Sequence, residues 1–525
     1  MTDITSDGSA TTATEAPTRR KPRTGFMYWV KVTHRWIGLA TFVWIAVLGF
    51  TGVVLDHPEW RWARQVTVTE RFASDHLMQD QVIGNIARYF QVNPENADHM
   101  ITGSGRGLWR TTNGGKNWTP VEFADYRGTP MVEAIIPAPS DPWNTLWLGT
   151  DDGLWLVSGA GGNATQVALS GEHITSLDLD ARPGHLVGIV EKTTLFVINP
   201  DEPENVQWTR PGDVNIPNLP DKVGMARLMI DLHLGEGFTG GRTSMWWSDY
   251  GGVVMIILAI TGLLYWLFPK RWKNRERRQK VRKTVRVQSM KWLYNLHSPV
   301  LGVIAVVPII YLSISGIYID HAEWFVTNTK DVTMDRDFMP SMYNMTDLTW
   351  QLDSLAASPT DPGHLTVMTR MGLIQTKDGG HTWAFDETTP LEAYKKNLIP
   401  GHVHRSGVEF VGVHGGPNYI REDGTDTWET IPSLRMMVMD GTKIGDTWIL
   451  KGSRGFSSWK PGESAQKLDI AYPPLTGVPF ERFMADLHAG MVFSHHFVWI
   501  NDAVCILAIY LCMTGLIAWW KKKWA

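Results

Sequence analysis

Four apolar stretches of near-membrane length constrain this chain more than any other feature. Trp36 to Leu55, Tyr250 to Phe268, Val300 to Ile319 and Ala503 to Trp520 contain no Lys, Arg, Asp or Glu. Each approaches the roughly 20 residues that cross a hydrocarbon core. The segments on one side of them are short and basic: Arg19, Arg20, Lys21 and Arg23 before the first, eleven Lys or Arg between Lys270 and Lys291, and Lys521 to Lys523 after the last. The positive-inside rule places these in the cytoplasm. The long segments, about 58–245 and 322–495, then lie outside, which in a bacterium with two membranes is the periplasm. The expected layout is a disordered leader (1–26), first span (27–57), β segment (58–232), helix start and second span (233–269), basic loop (270–291), third span (292–321), second β segment (322–487), and helix start, fourth span and basic end (488–525). The net charge of -4 points to no nucleic-acid partner. Membrane lipid is the one partner composition implies. The only cysteines, Cys505 and Cys512, are seven residues apart on one helix, too far for a disulfide, and read as packing residues.

The two halves of the chain are copies. Arg227-Leu-Met-Ile-Asp231-Leu-His233 recurs as Arg482-Phe-Met-Ala-Asp486-Leu-His488. Asp56-His57-Pro-Glu59-Trp60 recurs as Asp320-His321-Ala-Glu323-Trp324, and Asp249 stands twelve residues before Thr261-Gly262 as Asp502 does before Thr514-Gly515. Two parallel span-loop-span units related by a pseudo-two-fold axis follow, and functional residues should come in pairs. Asp249 and Asp502 lie where they would cap the start of their helices.

Histidines recur at matching places. His34 and His297 stand near the cytoplasmic ends of the odd spans, while His233, His488, His57 and His321 gather at the opposite surface. Two imidazoles from facing helices can hold a haem iron axially, and a four-helix bundle is a natural frame for it. The alternative is that these histidines bond headgroups or loops.

The elements His34-Arg35-Trp36-Ile37-Gly38, Leu232-His233 and Leu487-His488, and Ile260-Thr261-Gly262 followed by aromatics and Lys270-Arg271, resemble the PepSY-associated transmembrane helix family. Its members include haem-containing inner-membrane reductases of ferric siderophores. The resemblance implies His34 and His297 as ligands of a cytoplasmic-side haem b and His233 and His488 as ligands of a second, outer one. His57 and His321 remain rival ligands for the outer haem. Arg227 and Arg482, six residues before the outer histidines at 233 and 488, are candidates to pair with haem propionates, or else with Asp231 and Asp486.

In the external segments, Gly107-Leu-Trp-Arg-Thr-Thr-Asn113-Gly114-Gly115-Lys-Asn-Trp118 and Gly372-Leu-Ile-Gln-Thr-Lys-Asp378-Gly379-Gly380-His-Thr-Trp383 share one spacing. Asn-Gly and Asp-Gly between apolar runs favour tight turns because these residues tolerate positive φ. The strings resemble the Asp-box turn of sialidase-like β-propellers, and a further turn is expected at Asp423-Gly424. Spacing suggests about three strand-rich units per half, either one closed propeller ring or two separate all-β domains. The expected fold class is thus a membrane bundle of four helices from a tandem duplication, carrying an all-β external region.

No cytoplasmic segment is long enough for a flavin or dinucleotide domain. A chain that moves electrons outward would draw them from quinol or a separate reductase and pass them to a periplasmic acceptor, plausibly a ferric chelate. The alternative is a membrane scaffold whose β region docks another protein.

Overall fold

The computed structural model describes residues 25–524 apart from 58–59, 70, 74, 76, 79–86, 140, 142, 160–161, 237–240, 277–282, 330, 390–398, 401–407, 413–417, 423–424, 432–433, 435–437, 453–454 and 475–476. The leader to residue 24, the centre of the basic loop and the Asp423-Gly424 turn lie outside the described residues.

Eight helical segments position the site. They are α1 (Phe26–Leu55), α2 (Met225–His233), α3 (Met245–Glu276), α4 (Lys283–Asn295), α5 (Leu301–Ile304), α6 (Val306–Asp320), α7 (Phe480–His488) and α8 (Val498–Trp524). Among the described residues three helical stretches, Phe26–Leu55, Met245–Arg271 and His495–Lys521, are long and apolar enough to cross a membrane. The remaining one departs from the straight third span that hydropathy suggests: Val287–Ile304 and Val306–Asp320 meet at a bend of 59°. Proline explains the break. Pro308 has no N–H for the Ile304 carbonyl and its ring crowds that group, so the helix parts at Ala305. Upstream, Leu296–Val300 widens into a π turn containing Pro299 and His297. Such turns relieve a disrupted hydrogen-bond ladder and are frequent at functional sites.

The four long helical paths pack α1 on α3, α6 on α8, α1 on α8 and α3 on α6. Their shared core holds Leu48, Val254, Met255, Ala305, Ile309, Val504 and Ala508. Both cysteines are free thiols. Where α1 crosses α3 the backbones nearly touch: a Cβ added at Gly49 would stand 2.4 Å from the Gly252 carbonyl oxygen, and one at Gly252 would stand 2.7 Å from that of Gly49. Small residues allow such crossings in a bilayer, where close packing replaces the hydrophobic effect between helices. Gly49→Val should therefore destabilise the protein by about 1–3 kcal/mol. Thermal melting in detergent checks this, with Gly212→Val, where an added Cβ meets nothing within 4 Å, expected to leave the melt unchanged.

Among the described residues, six four-stranded antiparallel sheets, each with strands in chain order, form most of the external region. Their first strands are Tyr89–Val92, Val132–Pro137, Ile174–Leu179, Ser354–Ala357, Ile399–Pro400 and Val438–Ile444. Every first strand touches that of the next sheet, and the sixth touches the first, so three sheets from each half close one ring around an axis. The ring is tied to the helices by two short ribbons that cross between the halves, Thr67–Thr69 with Gly477–Pro479 and Lys222–Gly224 with Thr333–Asp335.

The two matching glycine-rich strings form the turns between third and fourth strands of sheets one and four. Asp378 Oδ1 accepts from the backbone N–H groups of His381 and Thr382 at 3.0 and 2.9 Å and from Thr376 Oγ1 at 2.8 Å. The Thr382 hydroxyl, donating to Oδ2 at 2.6 Å, together with these bonds to the charged form, holds the Asp378 carboxyl well below its usual range. Asn113 performs the same task with Thr111 and Asn117. Gly114, Gly115, Gly379 and Gly380 all have positive φ, which explains the glycine pairs. In an antiparallel sheet these turns lie opposite the turn between second and third strands. Arg370, in that latter turn of sheet four, touches α2, so the glycine-rich turns face away from the helices.

Candidate functional site

The duplicated histidines meet in two pairs. The rings of His34 and His297 are 6.4 Å apart, centre to centre, at an interplanar angle of 81°. Those of His233 and His488 are 5.8 Å apart at 60°. The first pair sits at the end of the helices far from the ring of sheets. The second sits at the ring side, where α2 and α7 end. On α1, seventeen residues separate His34 from Thr51, which touches His488; that is about 26 Å of helix, close to a bilayer core thickness.

Each imidazole is seated by a hydroxyl from the other half of the chain. His34 Nδ1 lies 2.9 Å from Thr514 Oγ1, and His297 Nδ1 lies 2.9 Å from Thr261 Oγ1. His488 Nδ1 lies 2.8 Å from Thr51 Oγ1, and His233 Nδ1 lies 3.2 Å from Ser315 Oγ. Every one of these hydroxyls donates its hydrogen to the carbonyl four residues earlier, at 2.7–2.8 Å. It therefore accepts from the ring. The ring proton accordingly resides on Nδ1, and Nε2 keeps a free lone pair. Metal-binding histidines are oriented in this way by a hydrogen bond from the non-ligating nitrogen.

A glycine follows every hydroxyl residue and makes room for the ring. A Cβ at Gly515, Gly262, Gly316 or Gly52 would stand 3.1–3.4 Å from Cε1 of His34, His297, His233 or His488 respectively. The local motif is thus Ser or Thr followed by Gly on all four long helical paths. Burial pushes His233 down to about 4 and His488, with its neighbour His233 adding to the effect, to about 3. Both rings are neutral at pH 7, the form that ligates metal.

The other candidate residues are engaged elsewhere. His57 Nε2 bonds Asp249 Oδ2 at 3.2 Å, and His321 Nε2 bonds Asp502 Oδ2 at 2.7 Å. Asp249 and Asp502 are each the fifth residue of their helix, so they do not cap its start as expected but meet histidines of the odd spans. Arg227 is 2% exposed, and its Nε donates to Asp231 Oδ2 at 2.8 Å, one of the two pairings that the sequence leaves open. Arg482 makes the equivalent fork with Asp486 at 3.0 and 2.9 Å. Asp231 also accepts from Arg370 at 3.0 Å and Tyr343 at 2.6 Å, both from the ring half of the molecule.

Sequence reading finds the four paired histidines, Thr261-Gly262 and Thr514-Gly515. It passes over Thr51-Gly52 and Ser315-Gly316, although the same Ser/Thr-Gly pair marks them, and over Arg370 and Tyr343, which carry no local signal. Thr51→Val should leave the His488 Nδ1–H without its hydroxyl partner. Losses of such supporting bonds typically cost about 10–100-fold in metal-site affinity or activity, which a titration of the purified apo-protein with haem would register as weaker binding at one site only.

Among the described residues no group of three or more His, Cys, Asp or Glu could hold a bare metal ion. These features define a membrane protein whose helices carry a duplicated bis-histidine motif. Residues 190–522, spanning three of the four paired histidines, match the family model described as PepSY-associated TM region. The chain belongs to this family. No curated protein matches it. Among solved structures it is similar to an ancestral GH74 enzyme (11% identity, TM-score 0.33, 74% of this chain and 40% of that one). It is also similar to the extracellular domain of a hybrid two-component system from B. thetaiotaomicron (9% identity, TM-score 0.37, 78% and 40%) and to a GH74 enzyme from Niastella koreensis (10% identity, TM-score 0.24, 73% and 57%). The chain spans 40% of the length of the first two, and likenesses this low carry no argument about activity.

Proposed function

We propose that this protein is a b-type haem protein of the bacterial inner membrane that moves electrons to a periplasmic acceptor, with both termini in the cytoplasm and the ring of sheets, read as a six-bladed β-propeller, outside. The observation that carries the reading is the crossed seating of four histidines, each with Nδ1 committed and Nε2 available. The separations fit an iron between the rings: metal–nitrogen bonds of about 2.0–2.1 Å and a ring radius near 1.1 Å give about 6.3 Å between ring centres, against 6.4 and 5.8 Å here. A porphyrin held there would supply the further ligands that a two-histidine site lacks. Bound at each pair, haem supplies one-electron chemistry.

The chain does the rest. Thr514, Thr261, Thr51 and Ser315 fix the ring orientations, and the four glycines keep the rings close to the helix backbones. Leu48, Val254, Met255 and Ile309 exclude water between the two levels. Quinol or a separate reductase supplies electrons at the cytoplasmic face, and the acceptor, a ferric siderophore or other iron chelate, meets the ring-side pair. Dithionite reduction of the purified protein should give sharp reduced-haem bands; their absence would reject the proposal.

A further inference from the structure

Asn501, the fourth residue of α8, is 4% exposed, and its amide is bonded by three other parts of the chain. Oδ1 accepts from Trp44 Nε1 of α1 at 3.2 Å. Nδ2 donates to Asp320 Oδ2 at the end of α6 at 2.8 Å and to the main-chain carbonyl of His488 at 3.2 Å. An indole N–H can only donate and a carbonyl can only accept, so the amide has one possible orientation. Gly490, two residues past His488, permits the approach: its φ is +73°, and a Cβ there would stand 3.2 Å from that of Asn501.

Each of the three bonds leads back to the ring-side histidines. The carbonyl belongs to His488 itself. Trp44 stands seven residues before Thr51, about two turns along the same face of α1, and Thr51 seats the His488 ring at 2.8 Å. Asp320 stands five residues beyond Ser315 on α6, and Ser315 seats the His233 ring at 3.2 Å. One buried amide therefore joins the residue that carries one imidazole to both helices that orient the pair. Ser248, the matching residue of the first half, reaches Asp56 at the end of α1 and the Met245 carbonyl of its own helix, and it backs onto Gly235. It cannot make the same three-way joint, because a hydroxyl has one hydrogen where an amide has two.

We propose that Asn501 is a positioning residue of the ring-side site, fixing the separation of the His233 and His488 rings. Polar groups buried at a membrane boundary find few replacement partners. Loss of the amide would leave three of them unmatched and let α1, α6 and the end of α7 shift independently. Two imidazoles hold a metal only while both nitrogens stay within about 0.2 Å of bonding distance, so such shifts reach the site directly. That the positioned rings hold haem rests on the haem reading; that Asn501 ties their supports together does not.

The test uses Asn501→Leu and Asn501→Asp in the full-length protein. The first fills the space without polar atoms. The second keeps the shape and the acceptor for Trp44 but turns a carboxylate oxygen toward Asp320 and the His488 carbonyl. Both should weaken haem binding at the ring-side level about tenfold or more and shift its low-spin electron paramagnetic resonance signal, while the haem at the level of His34 and His297 keeps its affinity and signal. Asn501→Ser, which retains a single donor, should fall between these variants and the wild type. Hydrogen exchange of the haem-free proteins reads the joint separately: residues 480–490 should exchange faster in Asn501→Leu than in the wild type. Faster exchange with unchanged ring-side affinity and signal would reduce Asn501 to a structural role and overturn the proposal, as would equal losses at both levels or no change in either measurement. A wild type that takes up no haem would reject the haem reading, and the positioning role with it, even where the exchange result shows the joint itself to be intact.

Discussion

Replacing His233 and His488 together with alanine is expected to remove one of two haems and leave the other spectroscopically intact. The converse double variant, His34→Ala/His297→Ala, should do the same at the opposite face. The effect should be all-or-none at each level, because a haem held there would lose both histidine nitrogens, and at the ring side His57 and His321 are already bonded to Asp249 and Asp502. Either variant should also abolish electron passage across the bilayer, since the proposed conduit would run through both levels, about 26 Å apart along α1. Haem content measured on each purified variant, beside dithionite-driven reduction of an external ferric chelate, checks both statements. Retention of both haems in either double variant would show that other residues hold them.

Asp231→Ala should have the second largest effect. The Asp231 carboxylate is fully buried and gathers Arg227, Arg370 and Tyr343, themselves 2%, 3% and 0% exposed. Removing one member of a buried ionic network leaves the others charged without compensation, a loss of about 3–5 kcal/mol. Here Arg227 would be stranded, and Arg370 would keep only the Glu236 carboxylate at 3.9 Å. Asp486→Ala serves as the internal comparison: its partner Arg482 is 30% exposed and can turn toward water. A markedly lower melting temperature for the first variant than for the second is the expected result, and equal shifts would contradict it. Asp231 also lies two residues before His233 on a nine-residue helix. Its loss should therefore loosen the ring-side pair as well, seen as weaker haem retention at that level only. Through Arg370, sheet four holds the helix that carries His233, a link from the external region to the histidine pair.

Much of this arrangement is legible in the amino-acid order because duplication writes each functional element twice. The Asp231-Leu-His233 and Asp486-Leu-His488 strings point to a pair, and the geometry brings those two rings to 5.8 Å. Hydropathy locates Phe26–Leu55, Met245–Arg271 and His495–Lys521 because these are continuous apolar helices. It misses the bend at Ala305, since a hydropathy window records composition and not curvature; Pro299 and Pro308 were the available clues. The glycine-rich turns are readable from residues that tolerate positive φ. Joining of the two sets of three sheets is not, because closure depends on contacts such as those between strands Tyr89–Val92 and Val438–Ile444, far apart in sequence. The same holds for Arg370, whose partner Asp231 lies 139 residues away.

The most direct test of the account is the haem-to-protein ratio of the purified wild-type chain, read from reduced-minus-oxidised absorbance against protein concentration. Two low-spin haems per chain are expected, one from each crossed histidine pair. A chain that carries none when expressed with ample haem, or that keeps its full complement after His34, His233, His297 and His488 are all replaced by alanine, would contradict it.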